Sequence, residues 1–451
     1  MAVVLCGTST VRFEYPPVRN IQPVNGPVRA VCPVPGSKSV SNRALVLAAL
    51  GAPNGPCELT GLLHSEDTEV MVDSLRRLGW TLDADWQGCR ARVSLGPGKS
   101  QSGGIVPKEI ADLFVANSGT TMRFLAALCS LGRGRYRLDG VERMRERPLG
   151  DLVTALRMAG AEVLCEGKPD CPPVLIRSEG WKTDLIRVGG EISSQFLSGL
   201  LLAAPFAGHP VVVETTGKLV SEPYVEMTVR MVRDWGGNVL TDSGGRFIFP
   251  RQNRCQRREY AIEPDASAAT YFWAMAAITG GEIFVPGLAG GSLQGDVAFV
   301  DCLEKMGCKV TREKQGIGVQ GGALRGIEVD MNAISDTVMT LASVALFATG
   351  PTIIKRVGHI RHKETDRLRA VATELGRLGV RVDESPDGLV IHPGPMNGAR
   401  VMTYKDHRMA MSLALIGLRV PGVEVDDPGC VAKTYPGFWQ DFDNAVAKAA
   451  H

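Results

Sequence analysis

Basic side chains in this sequence gather at a few polar clusters: Lys38 and Arg43 in one, Arg123 and Arg147 at another, Arg408 in a third, with Lys433 a short way beyond that third and Lys363 and Arg367 a short way beyond a fourth. Cations of this kind, set beside Ser, Asn or Asp, suit phosphate and carboxylate groups, to which they make charge-assisted hydrogen bonds. Two acids stand among them, Asp336 in Ile-Ser-Asp-Thr-Val-Met-Thr and Glu364 in His-Lys-Glu-Thr-Asp-Arg. In a cleft that excludes water, an acid near several cations can act as base or proton donor. Taken singly, each cluster reads better as a helix cap with solvated cations than as a functional site, and each acid better as a cap or an ion-pair partner. Arg123, facing the start of an apolar run, reads as the structural member. The joint recurrence of the clusters is what favours an anion site.

The elements that must position these residues recur six times. Each copy has a polar cluster, about nine mostly apolar residues, a Gly and a short β-branched strand. The clusters begin at Lys38, Asn117, Ser193, Asp265, Asp336 and Asp406, with spacings of 79, 76, 72, 71 and 70 residues. The apolar runs Asn42 to Leu50, Arg123 to Leu131, Phe196 to Ala204, Tyr271 to Thr279, Thr340 to Ala348 and Ala410 to Leu418 predict helices buried on every side. Amphipathic helices are expected over Glu66 to Leu78, Leu149 to Ala159, Glu222 to Trp235, Val297 to Met306 and Glu364 to Leu378, several stopping at Gly (Gly79, Gly160, Gly307). The sixth copy runs out near Phe438 to Ala449, and Val11 to Val34 has the strand character it lacks. Residues 1–36 plus 264–451 are therefore expected to form one lobe and residues 37–263 the other, with two chain crossings as a hinge. A solenoid fits less well, because solenoid helices keep an exposed face. Six helix starts aimed at one cleft would present unpaired N–H groups to an anionic ligand.

Composition bounds the possibilities. The 451 residues are 44% hydrophobic and 22% charged, enough for two or three packed cores. Lys plus Arg total 50 against 48 Asp plus Glu, so global charge points to neither nucleic acid nor membrane. The eleven Cys are scattered without metal-ligand spacing, which reads as reduced thiols in the cytoplasm and no metal site. No run reaches membrane-spanning length, and the first twenty residues read as neither export nor import signal.

Several stretches are specific enough to carry a resemblance: Pro35-Gly-Ser-Lys-Ser-Val-Ser-Asn-Arg43, Asn117-Ser-Gly-Thr-Thr-Met-Arg123, Arg145-Glu-Arg-Pro-Leu-Gly-Asp151, Ser193-Ser-Gln195, Lys363-Glu-Thr-Asp-Arg367, Asp406-His-Arg-Met-Ala410 and Ala432-Lys-Thr434. In order and over nearly the whole chain, they resemble the 5-enolpyruvylshikimate-3-phosphate synthase family. The resemblance implies an α/β (α+β) fold, a two-lobed inside-out α/β barrel in which each lobe has three βαβαββ repeats around buried central helices. It also implies a cofactor-free, metal-free transfer of the enolpyruvyl group of phosphoenolpyruvate to the 5-hydroxyl of shikimate 3-phosphate. Carried over residue by residue, Lys38, Ser39, Arg43, Ser193, Ser194, Gln195, Ser221, Tyr224, Asp336, His359 and Lys363 would hold shikimate 3-phosphate. Lys38, Gly119, Arg147, Gln195, Arg367, Arg408 and Lys433 would hold phosphoenolpyruvate, with which glyphosate competes in this family. Asp336 looks like the base for the 5-hydroxyl and Glu364 the proton donor to C3, with Lys38 and Lys433 able to share these transfers. A monomer is the expected state.

The sequence departs from the common family pattern at Phe124 (usually Pro), His359 (often Asn), Pro264 (often Gly), and Ser118 and Thr121 (often Ala). Phe124 removes a residue that would restrain the first turn of the helix carrying Gly119. Two rivals are a UDP-N-acetylglucosamine enolpyruvyl transferase, which relies on a loop Cys not evident here, and a non-catalytic anion-binding relative. Joint retention of Lys38, Asp336, Glu364 and Arg408 argues against the latter.

Overall fold

In the computed structural model, which describes residues 14–96, 104–242, 244–251 and 255–447, twelve α-helices alternate between buried and amphipathic among the described residues. The buried helix α1 (Lys38–Gly51) is followed by α2 (Glu66–Arg77), α3 (Gly119–Ser130) by α4 (Gly150–Met158), and α5 (Ser194–Ala203) by α6 (Pro223–Asp234). The alternation continues with α7 (Ala266–Thr279), α8 (Phe299–Met306), α9 (Val338–Ala345), α10 (Arg367–Arg377), α11 (His407–Ala414) and α12 (Phe438–Ala447). Every residue of α3, α7, α9 and α11 is buried. Their sequences, such as Ala-Ser-Ala-Ala-Thr-Tyr-Phe-Trp in α7, offer no polar face to water. Six sheets wrap outside them, five of four strands and one of three. Within the four-stranded sheets one pair is parallel and the next two antiparallel, the pattern of a βαβαββ unit.

The helix boundaries follow local chemistry. Ser37, Ser118, Ser193, Asp265 and Asp406 each accept a backbone N–H with the side chain at the start of a central helix. Gly79, Gly160, Gly236, Gly307 and Gly379 take positive φ just past the amphipathic helices, where a Cβ would be strained. Three expected starts are corrected. Helix α10 begins at Arg367 rather than Glu364, because the Asp366 side chain accepts from Arg369 N and caps it; Lys363, with φ −84° and ψ −151°, is extended. A 3₁₀ turn, Asn332–Thr337, precedes α9, so Asp336 sits in that turn and not on the helix. Another, Gly295–Ala298, precedes α8. Of the expected elements, Val11 to Phe13 and Lys448 to Ala449 lie outside the described residues, as does Cys6.

Two lobes follow, each around its own hydrophobic core. One core runs from Val40 to Ile262, the other combines Ile21, Val28 and Cys32 with residues from Ala266 to Ala445. Strands are traded over long sequence distances. Val18–Asn20 pairs antiparallel with Glu424–Asp426, Arg29–Val31 pairs parallel with the start of Glu282–Pro286, and Glu259–Ala261 supplies the opening strand beside Cys57–Thr60. The two crossings between lobes pair with one another: Gly36 bridges Pro264, Ser37 N donates to Glu263 O, and Asp265 N donates to Pro35 O. No helix among the described residues is long and apolar enough to cross a membrane.

At the crossing, an added methyl on Gly36 would lie 1.8 Å from the carbonyl oxygen of Gly61, and the contacted atom is backbone. Gly36→Ala is expected to lower unfolding stability by about 1–3 kcal/mol, read as a reduced urea midpoint at unchanged slope. An unchanged midpoint would show that the crossing yields without cost.

Candidate active site

The central helix starts and the entries to the second helices meet at one pocket between the lobes. It is lined by Lys38, Gly119, Thr120, Arg147 and Gln195 from one lobe and Asp336, Lys363, Glu364, Arg367, His407 and Arg408 from the other. Five cations face two carboxylates there, a surplus that suits an anionic occupant. Gly119 leaves no room for a side chain: a Cβ would stand 2.6 Å from Arg147 Nη2. Arg147 donates to Asn117 O, while its Nε is buried without a partner.

Arg367 is the hub. Its fully buried guanidinium donates through Nε to Asp406 (2.8 Å), through Nη1 to Asp336 (2.9 Å) and through Nη2 to Glu364 (3.0 Å). Arg408 Nη2 reaches the other Asp336 oxygen at 2.9 Å, and Lys363 Nζ lies 3.5 Å from Asp336. Burial would push the Asp336 carboxyl up, yet Arg408, Lys363, Arg367 and Lys38 hold it well below the usual carboxylate range. The same contest at Glu364 is won by Arg367, Arg147 and Lys433. Both acids are carboxylates at neutral pH.

The two lysines differ. Lys433 Nζ donates to Asp67 at 2.7 Å and lies 3.5 Å from Glu364. Burial opposes its charge, but those two acids raise its pKa above the ordinary value. Lys38 Nζ is 3.4 Å from the other Asp67 oxygen. Burial lowers its pKa; Asp67 opposes this, while Lys433 and Arg408 add to it.

Beside the pocket, the Ser221 hydroxyl is 3.1 Å from both Ser335 Oγ and His359 Nε2, with its backbone N donating to Asn332 Oδ1. Burial, with Lys363 nearby, drives the His359 pKa down to about 3, so the ring is neutral. The Tyr224 hydroxyl spans Asp296 (3.1 Å) and Asp336 (3.4 Å). Ser193 caps α5, Ser194 is buried in its first turn, and Ser39 gives its carbonyl to Arg43. Arg43 stands behind the pocket wall: its guanidinium donates to Thr228, Ser39 O, Ser198 and Tyr224 O and lies over the Phe124 ring. Arg123 donates to Gly119 O and Pro148 O, the structural part expected of it. Asp67, Asp296, Thr120 and His407 were not singled out by the sequence, since none is a cation or an acid beside one in the motifs that drew attention. His407 is buried with neither ring nitrogen hydrogen-bonded. Among the described residues no group of three His, Cys, Asp or Glu is placed to hold a metal.

Two pseudo-symmetric lobes that close a cationic, carboxylate-bearing pocket between buried helix starts define a transferase fold built for polyanionic metabolites. The family described as EPSP synthase (3-phosphoshikimate 1-carboxyvinyltransferase) matches residues 18–442, and the chain belongs to it. The 3-phosphoshikimate 1-carboxyvinyltransferases of Nostoc punctiforme and Trichormus variabilis are 45% and 46% identical to it over 94% and 95% of this chain and 97% and 99% of theirs. A solved EPSP synthase from Acinetobacter baumannii superposes with a TM-score of 0.76 at 25% identity, covering 94% of this chain and 97% of that one.

Asp406 is fully buried, caps α11 and pairs with Arg367. Asp406→Ala leaves a buried guanidinium short of a counter-charge and is expected to cost about 3–5 kcal/mol of stability by urea denaturation. Asp406→Asn, which keeps the cap, is expected to cost less. Equal losses in the two variants would assign the stability to the charge pairing with Arg367 alone.

Proposed function

We propose that this chain joins phosphoenolpyruvate to shikimate 3-phosphate, with the pocket residues in the roles their positions suggest. The observation that carries this reading is the pair of carboxylates, Asp336 and Glu364, held on one buried guanidinium in a pocket with surplus positive charge. Lys38, Arg147, Arg367, Arg408 and Lys433, with Gly119 and Gln195, would receive phosphoenolpyruvate. Ser193, Ser194, Gln195, Ser221, Tyr224, His359 and Lys363 would receive shikimate 3-phosphate, with Lys38, Ser39 and Asp336 at the border. Arg43 would act from behind by fixing Ser39 and Tyr224.

In the addition step the 5-hydroxyl oxygen bonds to C2 of phosphoenolpyruvate, its proton passes to Asp336, and C3 takes a proton that Glu364, a carboxylate in the free protein, has first picked up from Lys38 or water once bound substrate loosens its hold on Arg367. In the elimination the C2–O bond to phosphate breaks, C3 returns its proton to Glu364, the double bond re-forms and phosphate leaves with the proton that Asp336 had taken. A carboxylate held far below its ordinary pKa is a weak base, so the substrates themselves complete the machinery. Their phosphates and carboxylates compete for Arg367, Arg408 and Lys363, which releases Asp336 and Glu364 toward proton transfer. Lys38, already the more acidic of the two ammonium groups, is the better partner for either transfer. We further infer a monomer and a cytoplasmic location, the latter supported by nine described cysteines, Cys57, Cys89, Cys129, Cys165, Cys171, Cys255, Cys302, Cys308 and Cys430, that are free thiols.

A phosphate-release assay tests the reaction. Release with phosphoenolpyruvate and shikimate 3-phosphate is the expected result; release only with a UDP-sugar acceptor, or none, overturns it. Asp336→Asn and Glu364→Gln are each expected to lower kcat about 10²–10⁴-fold with smaller changes in KM. Equal losses in kcat and binding would contradict the roles. Gly119→Ala, by displacing Arg147, is expected to raise KM for phosphoenolpyruvate about 10- to 100-fold and to leave KM for shikimate 3-phosphate nearly unchanged, as loss of one charge-assisted contact would. A matched rise in both would place Gly119 elsewhere in the mechanism.

A further inference from the structure

Arg143 lies outside the pocket lining, on the lobe opposite Glu364, at the head of the 3₁₀ turn Met144–Glu146 that ends in Arg147. One edge of its guanidinium grips two consecutive backbone carbonyls of the other lobe: Nε donates to Glu364 O at 3.0 Å and Nη2 to Lys363 O at 2.9 Å. The remaining nitrogen donates to Glu146 at 2.8 Å. Lys363 and Glu364 belong to the bent, non-helical stretch between the Gly358–His362 turn and α10, so no helix of their own fixes them. The same 3₁₀ turn thus holds Glu364 twice, by its carbonyl through Arg143 and by its carboxylate through Arg147 Nη1 at 3.8 Å.

We infer that Arg143 is an interlobe positioning residue that, through the backbone of Lys363 and Glu364, sets the Glu364 carboxylate in its working place only when the lobes are shut; this rests on the roles proposed above. The bland alternative is a surface ion pair with Glu146. Those side chains are 34% and 52% exposed, and an exposed pair contributes little. That pairing leaves unexplained why the fork is spent on two carbonyls of another lobe. The other interlobe bonds do different work. Ser37 to Gln294 and Arg230 to Ser292 O lie toward the chain crossing, while Ser221 to Asn332 and Lys433 to Asp67 join groups of the site itself. A latch on the backbone of the acid-bearing segment lets chemistry wait for closure, which keeps water from a half-built site.

The test is a double-mutant cycle with Arg143→Met and Glu364→Gln, using the full chain and both substrates. Arg143→Met is expected to lower kcat about tenfold, with KM for shikimate 3-phosphate changed less than twofold and Arg143→Lys recovering part of the loss. In the Glu364→Gln background the same substitution is expected to change kcat less than twofold, because the group it positions is gone. An equal loss in both backgrounds overturns the inference. Hydrogen exchange in residues 358–367 of the protein alone reads the latch without turnover. Faster exchange in Arg143→Met supports it, and unchanged exchange rejects it even if the wild type proves to catalyse a different reaction.

Discussion

Burying the Arg367 guanidinium is the constraint from which the pocket follows. A lone charge taken out of water is expensive, and it is tolerated only where counter-charges and hydrogen bonds surround it. Here three carboxylates do so, and each belongs to a different element: Asp406 caps α11, Asp336 lies in the turn before α9, and Glu364 precedes α10. One side chain therefore ties two repeat units of a lobe at their inner tips. Once Asp336 is fixed, Arg408 and Lys363 are drawn to it, and the two acids meet the opposite lobe at Tyr224 and Arg147.

The opposite lobe answers with Asp67, which is nearly sealed from water and lies between Lys38 and Lys433. Lys433 comes from the far lobe, so the acid closes the cleft; Glu364 adds to its hold on Lys433, whereas burial, Lys433 and Arg408 outweigh it at Lys38, leaving one amine firmly charged and the other softer. Opposed shifts in neighbouring groups of one type are how a site separates binding from proton transfer. Tyr224, spanning Asp296 and Asp336, adds a neutral donor across the same boundary.

Much of this was legible in the sequence because the repeat is strong. The all-apolar runs located all six central helices, and the cations at their starts located the pocket. Glu364 was misplaced onto a helix because the amphipathic pattern continues through it, whereas Asp366 is the residue whose side chain caps the chain. Arg43 read as a ligand because its motif is specific, yet its donors are used inside the protein. Asp67 and Asp296 were overlooked for want of an adjacent cation. The repeat's own arithmetic points to them: Asp67, Arg147, Ser221, Asp296, Lys363 and Lys433 follow their cluster starts by 27 to 31 residues. Equivalence between copies was a better guide than local composition.

The traded strands bear on how the chain comes into being. Arg19 and Asp443, joined in the finished molecule, are 424 residues apart in sequence. At about 5–20 residues per second, a ribosome needs roughly 20 to 85 seconds to span that interval. For all that time Val18–Asn20 is a strand without its neighbour, and the earliest unit waits for Glu259–Ala261 before its sheet is whole. Ribbon edges left open are ready templates for wrong pairing. Nascent copies crowded on one message therefore need their amino ends shielded until translation has all but finished.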